Sequence, residues 1–219
     1  MTKFRNKYRS ESHRWQFWDY SAPAAYYITS ITNDRINRFG KVVGGNMILS
    51  DEGKILDFHF HELFKNNDNI ILDEYIIMPN HFHSVLIIPD DDSVYPEKNN
   101  VNKTDDFVLL KTVDTIHELY LRGIKQSKSF FTNHDFSGLS EQAKIAKYKK
   151  LRRKMLIPKI IGKLKMQVSK HINIKNNTPD ATNWQHDFYD EVIKFSDDFF
   201  KIKIYIKSNP DNWKTDRLK

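Results

Sequence analysis

Cysteine is absent from the chain, and that removes the disulfide framework, the zinc ribbon and the thiol nucleophile together. Any covalent step must run through an oxygen or nitrogen group. Long apolar runs are missing as well. No stretch approaches the roughly 20 residues that a membrane-spanning helix needs, and the opening segment, residues 1–7, lacks the apolar core of a secretory signal. The expectation is a cytoplasmic protein with no membrane partner. Acidic charge is in deficit, with 28 Asp and Glu against 35 Lys and Arg and a formal net charge of +7. Such a balance favours a polyanionic partner without identifying it. A length of 219 residues suffices for one well-cored domain, or a domain carrying a sizeable insertion.

What is present is more specific. His81-Phe82-His83 sits within Ile70-Ile71-Leu72-Asp73-Glu74-Tyr75-Ile76-Ile77-Met78-Pro79-Asn80 and Ser84-Val85-Leu86-Ile87-Ile88. The β-branched and aromatic flanks read as a buried strand pair, or one long bent strand, broken at Pro79-Asn80. On a strand, residues two apart share a face, so both imidazoles project together while Phe82 enters a core. That is a ready pair of nitrogen ligands for a metal. A second pair, His59-Phe60-His61, acts as an internal control. It lies where Leu56, Phe60, Leu63 and Phe64 repeat at helical spacing. Residues two apart on a helix diverge by about 200°, so His59 and His61 do not share an ion.

Along the rest of the chain, Lys3, Arg5, Lys7 and Arg9 are interleaved with Phe4, Asn6 and Tyr8. This segment reads equally as a nucleic-acid arm and as a solvated terminus. Residues 24–32 read as a first core strand, 42–49 as a hairpin turning on Gly44 and Gly45, and 51–65 as a helix. Residues 91–156 change character, with Asn-rich and Lys/Arg-dense stretches, and read as an insertion within a single domain spanning 1–219. Within it, Lys149, Lys150, Arg152 and Arg153 suit either a phosphate track or a solvated helix face. Residues 157–172 form an amphipathic helix with Ile157, Ile161, Leu164, Val168 and Ile172 on one stripe and Lys163, Lys165 and Lys170 off it. A last helix runs over 196–208 and stops before Pro210.

Taken in order, three blocks resemble one family. They are Met78-Pro79-Asn80-His81-Phe82-His83, Trp184-Gln185 with Phe188-Tyr189-Asp190, and Tyr205-Ile206-Lys207-Ser208-Asn209-Pro210 with Trp213. Asp19-Tyr20-Ser21-Ala22-Pro23-Ala24-Ala25-Tyr26-Tyr27-Ile28-Thr29 and the stretch from Gly45 to Gly53 are similar too. The family is that of the REP-associated tyrosine transposases, HUH-type enzymes acting on single strands. Jointly ordered motifs are more specific than any one of them. The resemblance covers roughly residues 13–90 and 157–213 and leaves the insertion unexplained.

The resemblance implies an α+β, ferredoxin-like sandwich with a central antiparallel sheet and helices on one or both faces. It further implies His81, His83 and Asn209 as metal ligands and Tyr205 as nucleophile. Spacing is consistent with this, because Tyr205 and Asn209 stand four apart and share a helix face. Two imidazoles and an amide oxygen leave open positions and suit Mg²⁺ or Mn²⁺. The implied substrate is single-stranded DNA bearing hairpins, cut through a 5′-phosphotyrosyl intermediate by a monomer or homodimer. Tyr189 is the rival nucleophile, without a ligand partner four residues on. Where family members commonly carry a histidine, this chain has Glu191. Two other classes remain: a catalytically silent hairpin-DNA-binding descendant, and a metal-dependent hydrolase using water with Asp73 or Glu74 as base.

Overall fold

Strand-forming residues in two distant stretches, Ala24–Ile31 and His81–Ile88, pair at the centre of a four-stranded antiparallel sheet. The computed structural model describes residues 17–65, 67, 69–90 and 106–219, with backbone alone for 3–4, 8–9 and 106–114. The strands are β1 (Lys3–Phe4), β2 (Tyr8–Arg9), β3 (Ala24–Ile31), β4 (Gly40–Val43), β5 (Asn46–Leu49), β6 (Ile71–Met78), β7 (His81–Ile88) and β8 (Tyr189–Ile193). The helices are α1 (Asp51–Lys65), α2 (Asp106–Asn133), α3 (Glu141–Arg152), α4 (Leu156–Asn176) and α5 (Ser196–Ser208). The main sheet runs β6-β7-β3-β8. With the β4–β5 hairpin and α2–α3 set aside, β3-α1-β6-β7-α4-β8 is the βαββαβ order of a ferredoxin-like fold.

The pleat divides the core in two. Ala24, Tyr26, Ile28, Phe82 and Leu86 face α1 and α4, meeting Leu56, Phe60, Ile161, Leu164 and Val168. Ala25, Val85 and Ile87 face the opposite way, toward Ile116 and Leu119 of α2 and Phe199 and Ile206 of α5. Strand β7 is buried along its whole length, as a strand covered on both faces must be.

Local signals set the element ends. The Ser50 hydroxyl accepts from the Gly53 N–H at 3.0 Å, and Asp51 and Glu52 lie in the first turn of α1, where the helix dipole favours acid. Helix α4 closes on Asn177 in the left-handed region, φ 52. Gly44 and Gly45 both have positive φ, 57 and 76, as the tight turn between β4 and β5 requires. Residues 70–88 form two strands rather than one bent strand, turning at Pro79-Asn80.

Much of the segment expected as an insertion is helical and packed. Besides the α2 residues in the second core, Tyr148 of α3 and Met155 join the first, and the Tyr148 hydroxyl donates to the Trp18 carbonyl at 2.8 Å. Residues 91–105 lie outside the described residues. Among the described residues no helix is long and apolar enough to cross a membrane.

Phe82 is fully buried, edge-on to Phe60 and Trp184 at 4.9 and 5.7 Å. Phe82→Ala should cost about 3–5 kcal/mol of unfolding free energy in urea titration. A loss below about 1 kcal/mol would show that β7 does not depend on this contact.

Candidate metal and nucleophile site

On the α5 side of the sheet, the alternation that buries Phe82 turns His81 and His83 outward to a common point. Their Nε2 atoms lie 3.1 Å apart, and both rings are essentially inaccessible. Antiparallel pairing sets Thr29 opposite His83 and Ile31 opposite His81. The Tyr27 and Thr29 hydroxyls each approach His83 Nδ1 at 2.7 Å.

The His81 tautomer follows from its neighbour. The Asn80 amide donates to the carbonyls of Leu218 at 2.7 Å and Arg35 at 3.3 Å, so its oxygen faces His81. His81 Nδ1–H therefore donates to Asn80 Oδ1 at 2.7 Å, and Nε2 is left with a lone pair directed at His83. Engaging Nδ1 so that Nε2 is free is how imidazole ligands are oriented in metal sites.

Helix α5 brings the remaining groups. Phe199, Ile202, Ile206 and Asn209 recur at helical spacing and face the sheet. Lys203 and Lys207 tie the helix to β6 through Asp73 at 2.9 Å and Glu74 at 3.2 Å. The Tyr205 hydroxyl comes within 3.5 Å of His83 Nε2, while the ring stays part-open to solvent. Burial raises the Tyr205 pKa, an effect the Asn209 amide beside it opposes. Asn209 is 2% exposed, and its Oδ1 has no hydrogen-bond partner.

Tyr205 thus meets the histidine pair, with Asn209 beside the phenol, and the chemistry of these residues fits a divalent cation. Two ligands held about 2.1 Å from one ion stand roughly 3.0–3.4 Å apart. The imidazole pair has that separation, and the orphaned amide oxygen lacks any other partner. Among the described residues, no group of three or more His, Cys, Asp or Glu forms a ready metal centre.

Sequence reading missed several residues here. Asp216 Oδ2 stands 3.6 Å from His81 Nε2, with the side chain 5% exposed. Trp213, named in the third motif but with no role assigned, packs on His81 at 6.1 Å. Tyr27, Thr29 and Asn80 were legible as strand or turn residues beside the histidines, but not as their hydrogen-bond partners. Tyr189, the rival nucleophile, donates to Glu191 at 2.7 Å and packs edge-on against Tyr27 at 6.1 Å. Asp73 and Glu74, considered as bases for water, are paired to the α5 lysines instead.

The control pair behaves as helix geometry dictates. His59 Nε2 meets His171 at 2.7 Å, whereas His61 meets Tyr75 at 2.9 Å.

The candidate DNA contacts divide. Lys149, Lys150, Arg153, Lys163 and Lys170 are exposed on α3 and α4 or just beyond. These helices pack on the first core, whereas α5 belongs to the second. Two expected contacts are turned inward instead. Lys165 Nζ donates to the Gln185 carbonyl at 2.7 Å, and Arg152, 13% exposed, lies 3.8 Å from the buried Asp190 carboxylate. Both have nearby oxygen partners within the fold, a destination that a run of basic residues does not reveal. Arg5 and Lys7, with the side chains of Lys3 and Arg9, lie outside the described residues.

No family model matches the chain. It is similar to an uncharacterized protein of Haemophilus influenzae, 20% identical over 207 residues, or 94% of this chain and 91% of the relative. A solved REP-associated tyrosine transposase bound to a REP hairpin aligns with a TM-score of 0.45 and 13% identity, over 94% of this chain and 74% of that one.

The buried imidazoles make stability depend on pH. Burial lowers the His81 pKa to about 4, with Asp216 opposing and Arg35 reinforcing. Burial, then the His81 charge, pushes His83 well below its ordinary value. Both folded values lie below the unfolded value of about 6.5. The stability they contribute is therefore complete above pH 6.5 and is lost as pH falls toward 4. Urea unfolding with a chelator present should show a decline between pH 6.5 and 5 of about 1.4 kcal/mol per pH unit for each histidine. His83→Asn should roughly halve it, leaving the His81 contribution, and a pH-independent midpoint in the unmodified chain would contradict the burial argument.

Proposed function

We propose that this chain is a metal-dependent single-stranded DNA endonuclease and strand transferase of the HUH tyrosine type, acting on hairpin-bearing repeat DNA. The observation that carries the reading is the approach of one part-exposed phenol, Tyr205, to within 3.5 Å of a buried imidazole whose Nε2 lies 3.1 Å from a second. The ordered sequence motifs and the net charge of +7 support the choice of substrate.

In this reading Tyr205 Oη attacks the scissile phosphorus in line. The bond to the 3′ oxygen breaks, and that oxygen takes up a proton equivalent to the one the phenol gives up. The products are a 5′-phosphotyrosyl protein and a free 3′-hydroxyl. Because the phosphodiester energy is retained in the new bond, another 3′-hydroxyl can reverse the step and join new ends without ATP. Tyr27, Thr29 and Asn80 orient the imidazoles from behind, and Asn209 sits beside the phenol. His81, His83 and Asn209 would hold Mg²⁺ or Mn²⁺, which when bound would polarise the phosphate and favour the ionised phenol. The phenol needs that help, since its pKa lies above the ordinary value of about 10.

Hairpin oligonucleotides with single-stranded flanks, incubated with Mn²⁺, should yield a covalent adduct that survives denaturing electrophoresis. Tyr205→Phe should abolish it, and His81→Ala or His83→Ala should slow its formation at least 100-fold. An adduct persisting in Tyr205→Phe would exclude the nucleophile assignment. Cleavage without an adduct would assign the site to water, and tight binding without cleavage would favour the silent hairpin-binding alternative.

If the exposed cations of α3 and α4 hold phosphates, single-strand affinity should fall with salt at a log–log slope of roughly −0.7 per contact. Changing Lys163 and Lys170 together to Gln should make that slope shallower by about 1.4, and an unchanged slope would remove both from the interface.

A further inference from the structure

Beyond α5 the chain turns through Trp213–Thr215 and runs back across the histidine pair. The Leu218 carbonyl accepts from Asn80 at 2.7 Å and the Arg217 carbonyl from Arg35 at 3.0 Å. The same Asn80 amide thus fixes the His81 tautomer and anchors this segment. Immediately before these anchors Asp216 points inward. Its Oδ1 accepts from the Leu218 N–H at 2.7 Å. Its Oδ2 is buried without a hydrogen-bond partner and faces the lone-pair nitrogen of His81 at 3.6 Å.

An ionised carboxylate oxygen buried against a nitrogen lone pair is an unfavourable arrangement unless a positive charge lies between them. Asn209 Oδ1 is a second buried oxygen without a partner. The separations along this edge, 3.1 Å from nitrogen to nitrogen and 3.6 Å from nitrogen to oxygen, are close to those of neighbouring ligands around one small cation.

We infer that Asp216 is an anionic ligand of the cation site, joining His81, His83 and Asn209. The inference rests on the metal-site reading above and deepens it. Among the described residues three such groups do not yet surround one point, so a small inward shift of the Asp216 side chain would accompany binding. The consequence is one of charge. Two imidazoles and an amide leave a divalent ion its full +2, whereas one carboxylate reduces the site to +1 and strengthens its hold on the ion, since affinity follows ligand charge.

The test uses the full chain and Mn²⁺ alone, with binding followed by calorimetry and by the electron paramagnetic resonance of the free ion. Asp216→Asn keeps the acceptor for the Leu218 N–H. It should weaken Mn²⁺ binding at least tenfold, the lower end of what losing even an outer partner costs a metal site. His81→Ala should abolish binding. Undiminished binding by Asp216→Asn, with His81→Ala inactive in binding, would overturn the Asp216 assignment and leave the histidine site standing. No binding by the unmodified chain would overturn both. Thermal unfolding separates a merely structural role. Asp216→Asn should unfold at or above the wild-type temperature without metal and show a smaller Mn²⁺-induced rise. An equal drop with and without Mn²⁺ would overturn the assignment.

Discussion

The register between β3 and β7 is the constraint on which the rest depends. It sets Thr29 beside His83 and Ile31 beside His81. A slip of one residue would exchange the two faces of β7, burying the imidazoles among α1 and α4 and turning Phe82 toward α5. The register is held from both sides. Phe82 is gripped by Phe60 and Trp184 in one core, while the Tyr27 and Thr29 hydroxyls meet His83 Nδ1 across the other face. Packing and hydrogen bonding therefore select the same pairing.

The site built on that register is dry behind and open in front. His81 and His83 are sealed in, whereas Tyr205 is 44% exposed. Polar groups fixed in a low-dielectric wall act more strongly on a charge brought to them than they would in water, and they need no reorganisation when it arrives. Such a wall requires its own groups to be neutral or paired. Burial lowers the pKa of both imidazoles, and Asn80 directs the His81 lone pair toward His83. Asp216 is the exception.

Convergence at the site is long-range. His83 and Tyr205 are 122 residues apart in sequence, and Asn80 and Leu218 are 138 apart. Helix α5 reaches its place through the apolar stripe of Phe199 and Ile206 and through two ion pairs to β6. These partly exposed pairs contribute modest energy; their effect is to fix the helix position along the edge strand. The edge carboxylates Asp73 and Glu74, which in sequence look available for acid–base chemistry, are thereby committed to structure.

The division between what was legible in sequence and what was not follows the range of the forces involved. Periodicity is local, so the spans of α1 and α5, all but the ends of α4, the β4–β5 turn and the shared face of His81 and His83 could be read directly. Helical spacing equally separated His59 from His61. The basic runs did not reveal the partners of Arg152 and Lys165 within the fold, because the direction of a long side chain depends on which oxygen lies nearby in the folded chain. Asp190 and the Gln185 carbonyl are such oxygens, and no local pattern announces them. Asp216 was invisible for the same reason. By itself the amino-acid sequence determined which residues share a face, since the pleat and the helical turn repeat over two to four residues. Only the tertiary structure decided which faces meet, because sheet register, helix docking and the return of the last turn depend on packing between segments far apart in sequence, from 54 residues for Thr29 and His83 to 138 for Asn80 and Leu218.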